Sequence, residues 1–305
     1  MPLSVTDRTV AGPHGDLRLR LYRPADGVTP VAGIVWAHGG AFYRGDLDMH
    51  EAEGVARALA ARGVVVVSVD YALVPPFEGA GRAPAQPARA VRFPVPSHEM
   101  AFAYAWATSA DLGVDPHCWS IGGASAGGNL AAGASLRLRD AAAGVPDVAP
   151  APSGTTAPVP RSVVLAYPVA HHELPAASDE LLAKVRTISP DESFPPPRTR
   201  AMNDNYLGHD RGPDSPYAFP GGQDLRGLPP TMVVTSDRDV LRATGEAYAA
   251  ELAAAGTDVL LVREDGTRHG HLNQPQDPGC GRSIARIAAW LTTAALVGTA
   301  HEPPA

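Results

Sequence analysis

Lysine occurs once in this chain, at Lys184, and cysteine twice, at Cys118 and Cys280. The basic side chains are otherwise arginine, and acidic residues outnumber them 32 to 25 for a formal charge of -7. That balance excludes the broad positive field that nucleic acid or an anionic membrane surface would require. The scarcity of lysine beside abundant Ala, Gly and Pro reads as a GC-rich coding bias and carries no mechanism. Two cysteines far apart in sequence do not make a disulfide framework, and free buried thiols are expected. No stretch approaches ~18 uninterrupted apolar residues. Residues 1–10 include Thr6, Asp7 and Arg8 rather than an apolar leader, so a cytoplasmic location and no stable membrane association are expected. There is no GK[ST] loop and no dinucleotide fingerprint in the first strand-helix unit, which argues against a nucleotide cofactor. Nor do His14, His171, His172 and His209 fall at metal-ligand spacing, so surface or pocket-rim places are expected for them, with no metal and no other cofactor.

The 305 residues are 45% apolar and 19% charged, the balance of a globular chain. Apolar runs at 33–37, 64–69, 119–122, 162–166, 231–235 and 259–262 are unbroken rather than alternating, as in parallel strands covered on both faces. Before them Leu17, Leu19 and Leu21 alternate with Arg18, Arg20 and Tyr22, the pattern of a half-exposed antiparallel strand at the sheet edge. Helical patterns follow at 51–61, 99–109, 126–140, 245–255 and 283–296. The order predicts an α/β fold with a mostly parallel twisted sheet and helices on both faces. Breaker-rich stretches at 78–96 and 144–160 read as surface loops. Residues 174–220 interrupt the rhythm with one short helical pattern, a Pro195-Pro196-Pro197 break and a second helix near 203–207. One catalytic domain spanning 1–305 is therefore expected, with 174–220 inserted as a helical cap over the strand ends.

Three places carry chemistry. Gly123-Ala124-Ser125-Ala126-Gly127 is a G-x-S-x-G sequence between a strand and a helix, the context in which a sharp turn projects a serine above the sheet. His38-Gly39-Gly40-Ala41 directly follows the strand 33–37, where backbone N–H groups can meet a developing oxyanion, and the Ala126 N–H adds another donor. A serine needs a base and an orienting carboxylate, in the chain order Ser, acid, His. Asp239 lies just past the strand 231–235 and His269 just past 259–262, which brings both to the strand ends beside Ser125. Asp237 remains an alternative acid, and His271 an alternative base if its loop is shifted.

The chain resembles the bacterial hormone-sensitive-lipase-like esterases of the α/β-hydrolase superfamily. The resemblance rests on His38-Gly39-Gly40-Ala41-Phe42, Asp70-Tyr71-Ala72-Leu73, Phe93-Pro94, Gly123 to Leu130, Leu228-Pro229-Pro230, Asp239-Val240-Leu241-Arg242, Gly245-Glu246-Ala247-Tyr248 and His269-Gly270, in order from about Asp7 to Leu291. It implies a serine ester hydrolase acting through an acyl-enzyme on small or medium acyl esters. Ser125, Asp239 and His269 would form the triad, and the N–H groups of Gly39, Gly40, Ala41 and Ala126 the oxyanion hole. Phe42, Tyr206 and His271 are expected at the substrate pocket. A homodimer through the sheet edge is a further expectation. An acyltransferase or lactone-forming enzyme would use the same triad, and a receptor on a hydrolase scaffold would have lost one of its members.

Four positions depart from the family pattern. Ala124 stands where Asp or Thr usually precedes the nucleophile, removing a hydrogen bond that would brace the elbow or the neighbouring loop. Ala41 replaces a third glycine, Pro76 the usual acidic residue, and His271 an aromatic, which makes the expected pocket more polar.

Overall fold

A computed structural model describes residues 3–77, 91–189, 193–208 and 215–293. Among the described residues eight strands form one sheet: β1 (Ser4–Gly12), β2 (Gly15–Arg23), β3 (Ala32–Ala37), β4 (Val64–Asp70), β5 (Trp119–Ala124), β6 (Val163–Ala166), β7 (Thr231–Arg238) and β8 (Val259–Arg268). Their spatial order is β1-β2-β4-β3-β5-β6-β7-β8. Strands β1 and β2 pair antiparallel with each other, β2 antiparallel with β4, and the remaining neighbours parallel.

The unbroken valines of β4 show why the alternation is missing. Val64 and Val66 join the apolar cluster on one face of the sheet, while Val65, Val67 and Val69 join the cluster on the other. Side chains alternate between faces along a strand, so covering both faces demands an apolar residue at every position. Helices α1 (Val55–Ala60) and α7 (Pro278–Thr292) cover one face through Val55, Leu59, Ile284 and Ile287. Helices α2 (Val95–Ser109), α3 (Ala126–Ala142) and α6 (Arg242–Ala254) cover the other through Met100, Leu130, Leu136, Tyr248 and Leu252.

Several expectations shift. The alternating strand Leu17–Leu19–Leu21 is antiparallel as read but lies second from the edge, because β1 pairs along its outer side. In β8 Leu260 and Leu261 are exposed, since this edge strand is not covered like the central ones. Proline was read twice as a break where it starts a helix. Pro96 lies in the first turn of α2, and Pro196 and Pro197 open α5 (Pro196–Leu207). The first turn has no intrahelical use for these N–H groups, so proline costs little there. The short pattern before it is α4 (Asp179–Val185), whose N-cap Ser178 Oγ accepts the Leu181 N–H at 3.2 Å. The stretch 144–160 holds neither helix nor strand. Of the other loop expectation, 78–90 lies outside the described residues, as do His209 and residues 294–296 of the last helix.

Candidate functional site

The sheet register brings the three predicted catalytic side chains together. Arg238 of β7 pairs with Arg268 of β8 beyond a register shift between Ser236 and Arg238, so Asp239 and His269 leave adjacent strand ends side by side. Ser125 follows Ala124, the last paired residue of β5. Its Oγ lies 2.9 Å from His269 Nε2, and His269 Nδ1 lies 2.6 Å from Asp239 Oδ2. The other Asp239 oxygen accepts the Leu241 N–H at 3.0 Å. Asp239 is 3% exposed and Ser125 6% exposed, so this chain of hydrogen bonds is shielded from competing water. Burial pulls the His269 imidazole down, but the charge and hydrogen bond of Asp239 outweigh it. With a smaller contribution from Glu51 and a smaller opposition from Arg44, its pKa is raised above the ordinary 6.5.

Asp237, the alternative acid, has other partners. Lys184 Nζ lies 2.5 Å and Arg242 Nη1 3.1 Å from its Oδ1, and Glu180 of α4 also pairs with Arg242. These contacts tie α4 to the end of β7. His271 is likewise committed elsewhere: its ring nitrogens meet Ser236 Oγ at 2.9 Å and Ser283 Oγ at 2.8 Å. Burial lowers its pKa to about 4.

The turn at Ser125 is strained by design of its surroundings. Its φ of 53° and ψ of -116° lie outside the usual regions for a side-chain-bearing residue. The Ser125 N–H donates to the Ala166 carbonyl at 2.8 Å, which fixes the turn against β6. The flanking glycines are required by space: a Cβ on Gly127 would lie 2.3 Å from the Ala37 carbonyl, and one on Gly123 2.4 Å from the Gly127 carbonyl. Ala126 opens α3, whose first N–H groups have no intrahelical acceptor.

The loop after β3 differs in one respect from expectation. The Gly39 N–H donates to Glu51 Oε1 at 2.8 Å, so it is withdrawn from the predicted set of oxyanion donors. Gly40 and Ala41 line a cavity of about 540 Å³ together with Ser125 and His269. Gly40 (φ 117°) has its missing Cβ position only 1.9 Å from the Arg44 carbonyl, and Ala41 and Phe42 hold φ of 54° and 64°. The alanine therefore occupies a conformation in which glycine is cheaper, the reason a third glycine is usual there. Tyr71 braces the same loop, its hydroxyl donating to the His38 carbonyl at 3.0 Å and its ring stacked on His38 at 4.5 Å.

The three pocket expectations are corrected. Phe42, Tyr206 and His271 are buried and absent from the described lining of this cavity. Phe42 and Tyr206 stack on each other at 4.0 Å, a long-range apolar contact that consumes both rings. The lining instead includes Phe194, whose ring lies 4.8 Å from that of His269, with Arg44, Arg198, Arg268, Met49 and Glu51. Glu51 was the residue most open to detection. It falls on one helical face with Val55, Ala56 and Leu59, and a carboxylate on an otherwise buried apolar face needs an internal partner. Ala124 is buried in the apolar cluster on the α1/α7 face. It and His38 each follow the paired residues Gly123 and Ala37, and His38 Nε2 is buried without a partner among the described residues.

Among the described residues no group of three or more His, Cys, Asp and Glu is disposed to hold a metal ion. His171 bonds Thr244 and Glu251, His172 bonds Asp204, and His14 stacks on His98. Cys118 and Cys280 are both free thiols. No described helix is long and apolar enough to cross a membrane.

Comparison with known proteins places these features in a wider group. Residues 34–273 match the family described as alpha/beta hydrolase fold. The carboxylic ester hydrolase LipN of Mycobacterium tuberculosis is 32% identical over 279 residues, covering 89% of this chain and 65% of LipN. The carboxylesterase NlhH of the same organism is 31% identical over 277 residues, covering 89% of this chain and 76% of NlhH. Among solved structures, an esterase of Pyrobaculum calidifontis superposes with a TM-score of 0.75 at 30% identity, covering 96% of this chain and 86% of that one. The carboxylesterase EstE1, cloned from a metagenomic library, superposes with a TM-score of 0.76 at 28% identity over 95% of this chain and 89% of its own.

Proposed function

Because the chain belongs to the α/β-hydrolase fold family, in its hormone-sensitive-lipase-like branch, we propose that it is a serine carboxylic-ester hydrolase working through an acyl-enzyme on Ser125. The observation that carries this reading is the continuous hydrogen-bonded chain from Ser125 Oγ through His269 to Asp239, with Ser125 and His269 lining a cavity of about 540 Å³.

The chemistry follows from that geometry. His269 Nε2 takes the Ser125 proton as Oγ attacks the ester carbonyl, while Asp239 holds the Nδ1–H tautomer and offsets the imidazolium charge. The carbonyl oxygen, now anionic, is met by the N–H groups of Gly40, Ala41 and Ala126, each worth roughly 3 kcal/mol of barrier in a water-poor site. The imidazolium then returns its proton to the departing alcohol, and water repeats the sequence to release the acid. Residues 174–220 act as the cap: Phe194 against His269 and the ion pair from Lys184 of α4 to Asp237 support that role. A small neutral ester suits a cavity of about 540 Å³ whose lining includes Phe194, Met49 and Ala41. The uncovered Leu260 and Leu261 on the edge strand β8 support pairing of two copies, which light scattering measures directly.

The deciding experiment is hydrolysis of a chain-length series of p-nitrophenyl esters by the wild-type protein beside Ser125→Ala. Turnover of short esters that disappears in the variant supports the reading. A folded wild-type protein inert toward every ester and toward a serine-directed phosphonate refutes it.

A further inference from the structure

Glu51 is 2% exposed, yet its carboxylate is fully engaged. Oε1 accepts the Gly39 N–H at 2.8 Å and Oε2 accepts the Tyr167 hydroxyl at 2.8 Å. Its main-chain N–H donates to Asn273 Oδ1 at 3.0 Å, and its carbonyl accepts the Trp36 indole N–H at 2.8 Å. Beside it, His50 Nδ1 meets the Leu272 carbonyl at 2.6 Å. One residue therefore joins the loop after β3, the turn after β6 and the loop that follows His269. Burying a carboxylate costs several kcal/mol unless hydrogen bonds replace its water. Plain stability would be served as well by an apolar side chain on the face shared with Val55 and Leu59. Glu51 also lines the cavity with Ser125 and His269.

We propose that Glu51 is a positioning residue for ester hydrolysis: it holds the Gly39 amide away from the substrate so that the Gly40 and Ala41 amides meet the oxyanion, and it sets a second negative charge against the His269 imidazolium. This rests on the ester-hydrolase reading. When the Ser125 Oγ–C bond forms, the carbonyl π pair moves to oxygen and the serine proton moves to His269 Nε2. Two charges of opposite sign thus appear within the reach of one loop. A loop pinned at Gly39 presents its next two amides without reorganising at that moment. The charged groups around His269 are Asp239 at Nδ1, Glu51 in the lining of the same cavity with a charge effect of the same sign, and Arg44 with the opposite sign, with Arg268 next in the chain. Tyr167 and Phe194 contribute ring contacts, and His271 stays neutral.

Glu51→Gln keeps the shape and an acceptor for the Gly39 N–H while removing the charge; Glu51→Ala removes the anchor; Tyr167→Phe removes one partner. Each is tested with p-nitrophenyl acetate over a range of pH, and the His269 ring is titrated by NMR in wild type and Glu51→Gln. The expected result is that Glu51→Gln moves both the His269 titration and the acid limb of kcat/KM to lower pH. Glu51→Ala should lower kcat by roughly ten- to a hundredfold with KM nearly unchanged, as for loss of oxyanion donation, and Glu51→Asp should recover part of it. A folded Glu51→Ala with unchanged kcat, or a His269 titration unmoved in Glu51→Gln, overturns the proposal. If Glu51→Ala does not fold, Tyr167→Phe decides: a lowered kcat at constant KM supports the proposal and an unchanged kcat overturns it. Should the wild-type protein hydrolyse no ester, the ester-hydrolase reading fails, while the NMR titration still decides whether Glu51 acts on His269.

Discussion

Asp237 and Asp239 are two residues apart and both buried, and their alanine variants should fail in opposite ways. Asp237→Ala strips Oδ1 from Lys184 and Arg242 and leaves the Arg242 guanidinium, 1% exposed, with Glu180 and Glu246 as its remaining carboxylate partners. Removing one partner of a buried ion pair costs about 3–5 kcal/mol, and the surviving partners put this case near the lower end. At an unfolding entropy of about 2.1 cal/mol/K per residue, a loss of about 3 kcal/mol lowers Tm by roughly 5 °C in a chain of this length. Its kcat should stay within about tenfold of wild type, because the contact from Asp239 to His269 is untouched. Asp239→Ala should do the reverse, lowering kcat by about ten-thousandfold through loss of the imidazole's orienting partner, with Tm changed by less than in Asp237→Ala. Thermal melts and initial rates on p-nitrophenyl butyrate of the two variants make the comparison. An Asp239→Ala protein keeping a tenth of wild-type kcat, or an Asp237→Ala protein that is fully stable but inactive, would refute the assignment.

Four further outcomes follow from the same geometry. On the proposed mechanism activity requires neutral His269, whose pKa is raised, so kcat/KM should fall as pH drops through a value above 6.5; a limb below 6.5 contradicts it. The His269–Asp239 contact adds stability that is complete below the unfolded pKa of about 6.5 and is lost as pH rises through the folded one. His271 acts in the opposite sense: with a folded pKa of about 4, it binds its proton later than the unfolded chain does, so stability falls as pH drops from about 6.5 toward 4. Melts of wild type and His271→Asn across that window check this, the variant being expected to show a flatter slope. Gly127→Ala should lose several kcal/mol or fail to fold, because its Cβ meets the Ala37 and His38 carbonyls at 2.3 and 2.4 Å; a stable, active variant would mean the elbow is looser than described.

Features set by the local chain were legible in the sequence. Unbroken valines, the G-x-S-x-G turn and residues lying just past a strand need only strand periodicity and glycine's freedom, and they led to Ser125, Asp239 and His269. Features set by distant partners were not. Whether Gly39 donates to substrate depends on Glu51, twelve residues away on another element. Phe42 and Tyr206 were read as pocket residues because aromatic character alone does not reveal that the two rings spend their faces on each other. His271 was read as pocket polarity, although Ser236 and Ser283 satisfy both ring nitrogens inside the protein. Proline misled wherever its meaning turns on position, since one residue stops a helix in its interior and starts it in the first turn.

The single lysine has a practical consequence for anyone handling this protein. Lys184 is 36% exposed, bonded to Glu180 at 2.8 Å and to Asp237 at 2.5 Å, and stands on α4 rather than on the sheet. Amine-reactive dyes, cross-linkers and immobilisation resins therefore have one internal side chain to find, and they would grip the molecule by the segment joined to the end of β7. Acylation there erases a positive charge from the Asp237–Arg242 cluster, whereas reductive methylation preserves it. Attachment through Lys184 would hold the molecule in one orientation, and the choice of chemistry would decide whether the attachment also loosens α4.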